Sequence, residues 1–447
     1  MTPSPSPGRS PLTAAVASRL RREAMRLGTP LYAYDAARLA ADVRGVERAF
    51  RGAAWTRLYS LKANALPGLV RRIADLGFGA SAVSRGELTL ARAAGIPPEA
   101  TALEGIGKTE EDLAEAVALA GDGRPLLWVS VESADEAASL ADLAARRLPS
   151  GVRLDVLIRV NPGVDPDTLP GLAVGRSGSK FGVAPQDLGR VVRAGGGRGG
   201  PLAWRGLHVH AGSQLRSVDA WRSAVEAALA AFAAFAEHAT GHQGFDTLDV
   251  GGGFPAGLPG APPPAAFGAV AREAVRRVPA RVRPARLAIE PGRALVAAAG
   301  WLVARVLHVR TRDLAGRPDA TERQIVLDAG MTELIRPALY GAREHPILAL
   351  TSLGRPASAS GGPAADPADL PSEVLVEGPV CESTDRFGSA VLPPLERGDL
   401  VAIGSAGAYA SAMFSAYNGR PRPAEVLLDE EGRTELLRRR GSVGPLP

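Results

Sequence analysis

Lysine is the scarcest charged residue in this chain: of the 52 Lys and Arg residues, all but Lys62, Lys108 and Lys180 are arginine. The two cations are interchangeable as solvated charges but not as nucleophiles. A guanidinium stays protonated, whereas a lysine amine can lose its proton and form a Schiff base. Each remaining lysine is therefore a candidate for amine chemistry. Lys62 is the best placed, because Tyr59-Ser60-Leu61-Lys62-Ala63-Asn64 delivers it at the end of an apolar strand, just before a helical stretch. The competing reading is a solvated strand-end lysine, which scarcity makes less attractive.

Three more constellations follow strands. In Asp249-Val250-Gly251-Gly252-Gly253-Phe254-Pro255, successive glycines leave backbone N–H groups accessible and allow a nest that suits a phosphate, although a glycine-rich turn is often only a turn. In His208-Val209-His210-Ala211-Gly212-Ser213-Gln214, alternation puts His208 and His210 on one side. An imidazole there can stack on an aromatic cofactor, ligate a metal or sit satisfied in the core; with no further ligands at a recognisable spacing, no metal is expected. Ile289-Glu290-Pro291-Gly292-Arg293 sets an acid and a cation at a strand end. A carboxylate facing a pyridine nitrogen would keep it protonated, and the alternative is a surface ion pair.

Further along stand Asp328-Ala329-Gly330-Met331, Arg336-Pro337-Ala338-Leu339-Tyr340, Gly378-Pro379-Val380-Cys381-Glu382-Ser383 and Gly407-Ala408-Tyr409. Their guanidinium, phenol, thiol and carboxylate groups are what a doubly charged amino acid would need, though Pro337 and Gly378 can simply mark turns and Cys381 can be buried and inert. Gly105-Ile106-Gly107-Lys108-Thr109 looks like the end of a P-loop, but Ala102 stands where the first glycine is required, which argues against a nucleoside triphosphatase.

The elements that must hold these groups alternate. Short β-rich runs at Leu31–Tyr34, Arg57–Leu61, Leu126–Val131, Val156–Val160, Arg205–His210, Thr247–Val250 and Leu287–Ile289 are separated by helical spacing at Ala65–Leu76, Arg85–Ala94, Glu110–Ala120, Ala134–Arg147 and Ala220–Glu237. The rhythm predicts an α/β fold, a (β/α)8 barrel over 38–293. Trp301–Val309, Arg323–Asp328, Glu373–Glu377 and Leu400–Ile403 then read as strands of a mainly β C-terminal domain over 294–447, with a flexible loop at 354–369. Residues 1–11 read as a disordered tail and 12–37 as a segment packing with the β domain.

Composition narrows the classes. The 447 residues are 46% hydrophobic and 22% charged, enough for two cores, which excludes wholesale disorder and a small disulfide scaffold. Cys381, the single cysteine, cannot form an internal bridge, and Met1–Pro11 has no apolar core of a secretory signal, so a cytoplasmic protein is expected. The uncharged stretches Val250–Ala271 and Leu400–Gly419 are broken by glycines, prolines or serines, so no membrane span is expected. A net charge of +5 with 5% aromatics, the arginines scattered among acids, does not describe a nucleic-acid partner.

In this order, the segments resemble the diaminopimelate decarboxylases, pyridoxal-phosphate enzymes of the alanine-racemase-like fold class. The resemblance spans about residues 28–427. It includes Gly28-Thr29-Pro30-Leu31-Tyr32, the Lys62 segment, Ser84-Arg85-Gly86-Glu87-Leu88, Arg159-Val160-Asn161-Pro162-Gly163, Ser179-Lys180-Phe181-Gly182 and Tyr417-Asn418-Gly419-Arg420-Pro421. The resemblance implies that Lys62 holds pyridoxal 5'-phosphate through its amine and that His210 stacks on the ring. Ser213 with Gly251, Gly252 and Gly253 would bind the phosphate, and Glu290 would pair with the pyridine nitrogen. The Pro291-Gly292-Arg293 turn and Tyr409 would touch the cofactor. Arg293, Arg336, Tyr340, Glu382 and Tyr409 would grip the substrate, meso-2,6-diaminopimelate, whose decarboxylation yields L-lysine. Cys381 or Lys62 would return the proton, Cys381 and Glu382 arriving from the partner subunit of a head-to-tail homodimer. Ser81, Ile106 and Leu169 depart from residues common in the family. Ornithine decarboxylases share the barrel motifs and the Gly253-Phe254-Pro255 form of the loop, but not the Arg336–Tyr340 segment or the tail. A paralogue acting on ornithine, lysine or another diamino acid is the alternative; a catalytically silent relative would be expected to have lost Lys62 or Cys381.

Overall fold

The computed structural model describes residues 12–165, 167–197, 199–238, 244–314, 317–342, 344–350 and 371–442. The tail read over 1–11 and the loop read over 354–369 lie outside them. The chain divides into two compact units: residues 38–298 form one, and the residues before 38 join those from 299 onward in the other. The helix Arg293–Val296 therefore stays with the first unit, past the boundary that the change of sequence pattern suggested.

The first strand, β1 (Leu31–Asp35), belongs to the second unit. The next eight close into a barrel: β2 (Trp55–Ser60), β3 (Gly79–Ala82), β4 (Thr101–Leu103), β5 (Trp128–Val131), β6 (Leu154–Arg159), β7 (Leu202–His208), β8 (Thr247–Asp249) and β9 (Arg286–Ile289). All neighbours run parallel, and β9 pairs with β2 to complete the ring. Strands covered on both faces must be apolar almost throughout, and β5 is buried at every position. Inside, Leu58, Ala102, Trp128, Leu157 and Ala288 pack into one cluster. β3 and β4 were not evident from the sequence: one is Gly-Ala-Ser-Ala, without β-branched residues, and the other is three residues long.

The helices between strands start on side chains that satisfy their free N–H groups. Ser84 accepts from Glu87, Ser133 accepts from Glu136, and Thr109 and Asp112 form a reciprocal capping box. Each cap fixes where a helix leaves the loop after a strand, the end of the barrel on which chemistry is built.

Among the described residues, the second unit is a nine-stranded sheet. Its later members are β10 (Gly300–Leu314), β11 (Arg317–Leu327), β12 (Ile347–Ala349), β13 (Ser372–Glu377), β14 (Arg386–Leu392), β15 (Leu400–Ile403), β16 (Ala424–Leu428) and β17 (Thr434–Arg438). The main path runs β14-β13-β11-β10-β1-β16-β17, with β15 bridging β10 and β12. β1 lies antiparallel to β10 and parallel to β16. The helix Ala14–Leu27 covers this sheet through Ala17, Leu20 and Ala24, which pack with Leu31, Trp301, Val303, Val426 and Leu428. The stretch from 12 to 37 is thus an integral part of the β unit's core.

In β7 an extra residue, Arg205, interrupts the register with β6 between Trp204 and Gly206. A Cβ at Gly206 would stand 1.6 Å from the Thr247 carbonyl oxygen, a backbone atom that cannot step aside. The bulge therefore requires glycine, and it sets which way His208 points two residues later. Gly206→Ala should lower stability by about 3 kcal/mol, read as a lower urea midpoint; an unchanged midpoint would show that β7 and β8 can separate without cost.

Candidate active site

Four strand ends of the barrel deliver a buried chain of polar groups. His208 closes β7, Glu104 follows β4, Glu290 follows β9 and Ser130 lies in β5. The His208 Nδ1 lies 2.9 Å from Glu104 Oε2 and 3.1 Å from Ser130 Oγ, and its Nε2 lies 3.2 Å from Glu290 Oε2. Trp128 donates its indole N–H to Glu104 Oε1 at 2.8 Å. Burial alone would depress the imidazole, but Glu104 and then Glu290 outweigh it, and His208 is pushed up to about 10. Burial likewise acts to raise Glu290, yet the charges of His208 and Lys62 and a hydrogen bond from Ser81 hold it well below the carboxylate range. Asp249 goes the other way, raised by burial and by the neighbouring Glu290.

Sequence reading gave His208 no partners and missed Glu104 altogether. The signal available was a carboxylate at the start of the Glu104-Gly105 turn, overlooked because β4 was not recognised. Glu104, His208 and Glu290 are also, among the described residues, the one set of three such groups whose ligand atoms fall within 4.8 Å of each other, as a metal would require. The ring offers a different nitrogen to each carboxylate, so the imidazolium already supplies the positive charge. Glu290 and Arg293 are both buried, at 6% and 4% exposure, and are not a surface pair.

His210 follows the end of β7. Its Nδ1 accepts the Gly252 N–H at 3.2 Å, while burial and the charges of Lys62 and Arg159 hold its pKa well below the usual value. The ring is therefore neutral with its proton on Nε2. The three glycines are sterically required: added Cβ atoms at Gly251, Gly252 and Gly253 would come 2.5, 2.3 and 2.5 Å from the carbonyl oxygens of Val209, Glu290 and Gly212. Their amides are not all open. Gly251 donates to Asp249 at 2.7 Å and Gly252 to His210, which leaves Gly253 as the glycine whose N–H those bonds do not use. Ser213 is placed beside this loop by its neighbour Gln214, whose side-chain amide bonds both the N–H and the C=O of Ala256.

Lys62 sits in a single 3-10 turn, Leu61–Ala63, and is exposed between two buried neighbours. The turn is locked on both sides: Tyr59 donates to the Asn64 carbonyl at 2.8 Å, and the Ser60 N–H donates to the Pro291 carbonyl at 3.2 Å. A Cβ at Gly292 would lie 3.1 Å from that of Ala63, so the Pro291-Gly292 turn packs directly on the lysine turn. The charge of Lys62 acts on both Glu290 and His210. The other two lysines are engaged elsewhere. The buried Lys108 amine lies 2.9 Å from Glu136, and Lys180 lies 5.3 Å from the Phe181 ring centroid.

The remaining candidates lie in the second unit. Arg336 is fully buried, donates from Nε and Nη2 to Glu344 Oε1 at 3.2 and 2.7 Å, and lies 5.2 and 5.9 Å from the ring centroids of Tyr340 and Tyr409. Only Nη1 is left by those two bonds; Glu344 was not anticipated from the sequence. Tyr409 has φ 56°, a left-handed backbone that non-glycine residues seldom adopt outside functional positions. Cys381 and Glu382 are exposed on a loop pinned by the buried Asp385, which accepts from Met331 at 2.5 Å and Val380 at 2.7 Å. Tyr417 donates its hydroxyl to Glu382 at 3.1 Å, and Asn418 Nδ2 lies 3.8 Å from Cys381 Sγ.

Residues 37–297 match the family model of the pyridoxal-dependent decarboxylase, pyridoxal binding domain. The diaminopimelate decarboxylase of Deinococcus radiodurans is 38% identical over 426 residues, covering 94% of this chain and 95% of the relative. That of Aquifex aeolicus is 34% identical over 429 residues, covering 94% and 91%. The crystal structure of diaminopimelate decarboxylase from Helicobacter pylori complexed with L-lysine superposes with a TM-score of 0.81 at 28% identity, covering 95% of this chain and 97% of that one.

The Arg336–Glu344 pair has a pH signature. Burial acts to raise Glu344, but the hydrogen bonds and charge of Arg336 hold it below its ordinary 4.5. Its stabilisation is complete above pH 4.5 and disappears as the pH falls through the lowered value. Glu344→Gln should cost about 3 kcal/mol at neutral pH and flatten the acid limb of the stability profile; urea midpoints at neutral pH and near pH ~3 measure both, and parallel profiles would refute the pairing.

Proposed function

The chain belongs to the pyridoxal-dependent decarboxylases, and from that premise we propose that it removes one carboxylate of meso-2,6-diaminopimelate to give L-lysine and CO2, with pyridoxal 5'-phosphate as cofactor. The observation that carries this reading is the match, over 94% of the chain, to relatives named for that activity. The residues present suit the cofactor. Glu290 Oε1 is buried without a hydrogen-bond partner, a neutral imidazole stands beside it, and the glycine turn leaves no room for side chains.

Bound pyridoxal phosphate supplies an aldehyde that condenses with amines and a ring that accepts the electron pair released when a carboxylate departs. The chain's own groups then have distinct tasks. Lys62 would hold the cofactor covalently through its amine. His210, neutral and fixed through Nδ1, offers its ring face. Glu290, through its unpartnered Oε1, would accept from the pyridine N–H and keep that proton in place. Ser213 and the Gly251-Gly252-Gly253 turn would hold the phosphate, with the Gly253 N–H left by the bonds to Asp249 and His210, and Pro291-Gly292-Arg293 would touch the cofactor. Tyr409 would contact cofactor and substrate, while Arg293, Arg336, Tyr340 and Glu382 would hold the distal amino-acid end. A site built to pair a second carboxylate rejects an analogue lacking it by about 10⁴-fold, which disfavours ornithine and lysine as substrates. Cys381 Sγ or Lys62 Nζ would return the proton to carbon.

The same reading includes a head-to-tail homodimer in which Cys381 and Glu382 reach the partner's site. Their exposure on a pinned loop, beside the exposed Tyr417, supports it. It also places the protein in the cytoplasm, where a lone exposed thiol stays reduced. No described helix is long and apolar enough to cross a membrane.

Purified protein given meso-diaminopimelate and pyridoxal phosphate should release CO2 and lysine; turnover of ornithine or another diamino acid instead would overturn the substrate. Lys62→Ala should abolish covalent attachment of the cofactor, read by mass after borohydride reduction, and lower the rate by about a thousandfold or more. Retained attachment would assign the anchor to Lys108 or Lys180.

A further inference from the structure

The functional reading gives no task to His208 or Glu104, although both are buried at the barrel's strand ends within ion-pair distance of each other. Glu290 faces a protein cation with one oxygen only: its Oε2 lies at ion-pair distance, 3.2 Å, from His208 Nε2 without hydrogen-bond alignment, while Oε1 is buried without a hydrogen-bond partner. On its other nitrogen His208 lies at ion-pair distance, 2.9 Å, from Glu104 Oε2 and is hydrogen-bonded to Ser130 at 3.1 Å, and the second Glu104 oxygen is fixed by Trp128. The side chains of His208, Glu104 and Glu290 are 2%, 4% and 6% exposed, so none can change partners by turning to water.

We propose that His208, clamped between Glu104 and Glu290, is a positioning residue that fixes Glu290 by one oxygen and keeps the other free as the acceptor for the protonated ring nitrogen of the cofactor. The inference rests on the functional reading above and deepens it. A lone buried carboxylate would take up a proton or rotate; an imidazolium behind it prevents both. Glu104 balances that imidazolium, and Ser81, from β3, adds a neutral hydrogen bond to Glu290. The other ionisable groups whose charge reaches this center are Lys62 after β2, Arg159 at the end of β6, His210 after β7 and Asp249 at the end of β8.

Two measurements test it, the first without cofactor. In histidine-labelled apoprotein, the imidazole NMR signal absent from His208→Gln should remain that of an imidazolium well past pH 8, titrating near 10, whereas an ordinary histidine is about 97% neutral at that pH. A neutral His208 at pH 8 overturns the clamp. The second measures pyridoxal phosphate affinity, and the pH at which its bound visible band titrates, in His208→Gln and Glu104→Gln. Affinity should weaken about 10- to 100-fold, as when outer partners of a ligand-holding group are removed, and the titration should move to lower pH. In a Glu290→Gln background, His208→Gln should add less than about twofold.

An equal loss with and without Glu290 means that His208 acts by general stability, and overturns the inference. Should His208→Gln fail to fold, Glu104→Gln, which keeps an acceptor for Trp128, carries the same comparison. Wild-type protein that takes up no pyridoxal phosphate overturns the functional reading and the cofactor end of this one, whatever the apoprotein shows. Wild-type uptake with unchanged affinities and spectra in the variants overturns this inference alone.

Discussion

One buried cation between two carboxylates organises the barrel's working end. Removing an imidazolium and two carboxylates from water costs several kcal/mol per ion, and the contacts among them offset this only when the geometry is close. Distances of 2.9 and 3.2 Å on opposite sides of one ring meet that demand. The three residues come from the ends of β4, β7 and β9, so the balance of charge is also a constraint on how those strands align. The bulge at Arg205 belongs to the same constraint, since it sets the direction of His208 within β7.

The parts legible in the sequence were those written in a local alphabet. A scarce lysine after an apolar run, three glycines after a strand, and alternating periods of two and 3.6 residues each announce themselves within a few positions. The (β/α)8 barrel and the mainly β second unit followed from such signals, as did the gathering of Lys62, His210, Glu290 and the glycine turn at the ends of barrel strands. What stayed hidden was pairing at a distance. Nothing near Glu104 says that its partner lies beyond residue 200, and nothing near Arg336 says that Glu344 will consume two of its donors. The amides of Gly251 and Gly252 read as open, yet the fold commits them to Asp249 and His210. Short strands were lost for a related reason: β3 and β4 are held by ladders on both sides and need no β-forming residues of their own.

The lysine turn shows how the fold protects a reactive group without immobilising it. Tyr59, Asn64 and the Pro291 carbonyl fix the backbone before and after Lys62, while the side chain is left exposed. Backbone rigidity with side-chain freedom suits the covalent anchor proposed for Lys62. Lys108, by contrast, is bound to Glu136 and to the Gly105 carbonyl, and its charge ties a loop to the helix Ala134–Arg147.

The position of β1 has a consequence for biosynthesis. The strand sits between β10 and β16, so the sheet of the second unit is interrupted in sequence by the whole barrel. The ends of that insert are close, with the Asp35 N–H donating to the Ala299 carbonyl at 2.9 Å. A ribosome therefore releases the first strand several hundred residues before either of its neighbours exists. The contiguous barrel can mature meanwhile, but the apolar face of Ala14–Leu27 is not fully covered until Val426 and Leu428 have emerged. Chaperone attention during translation is best directed to that leading segment.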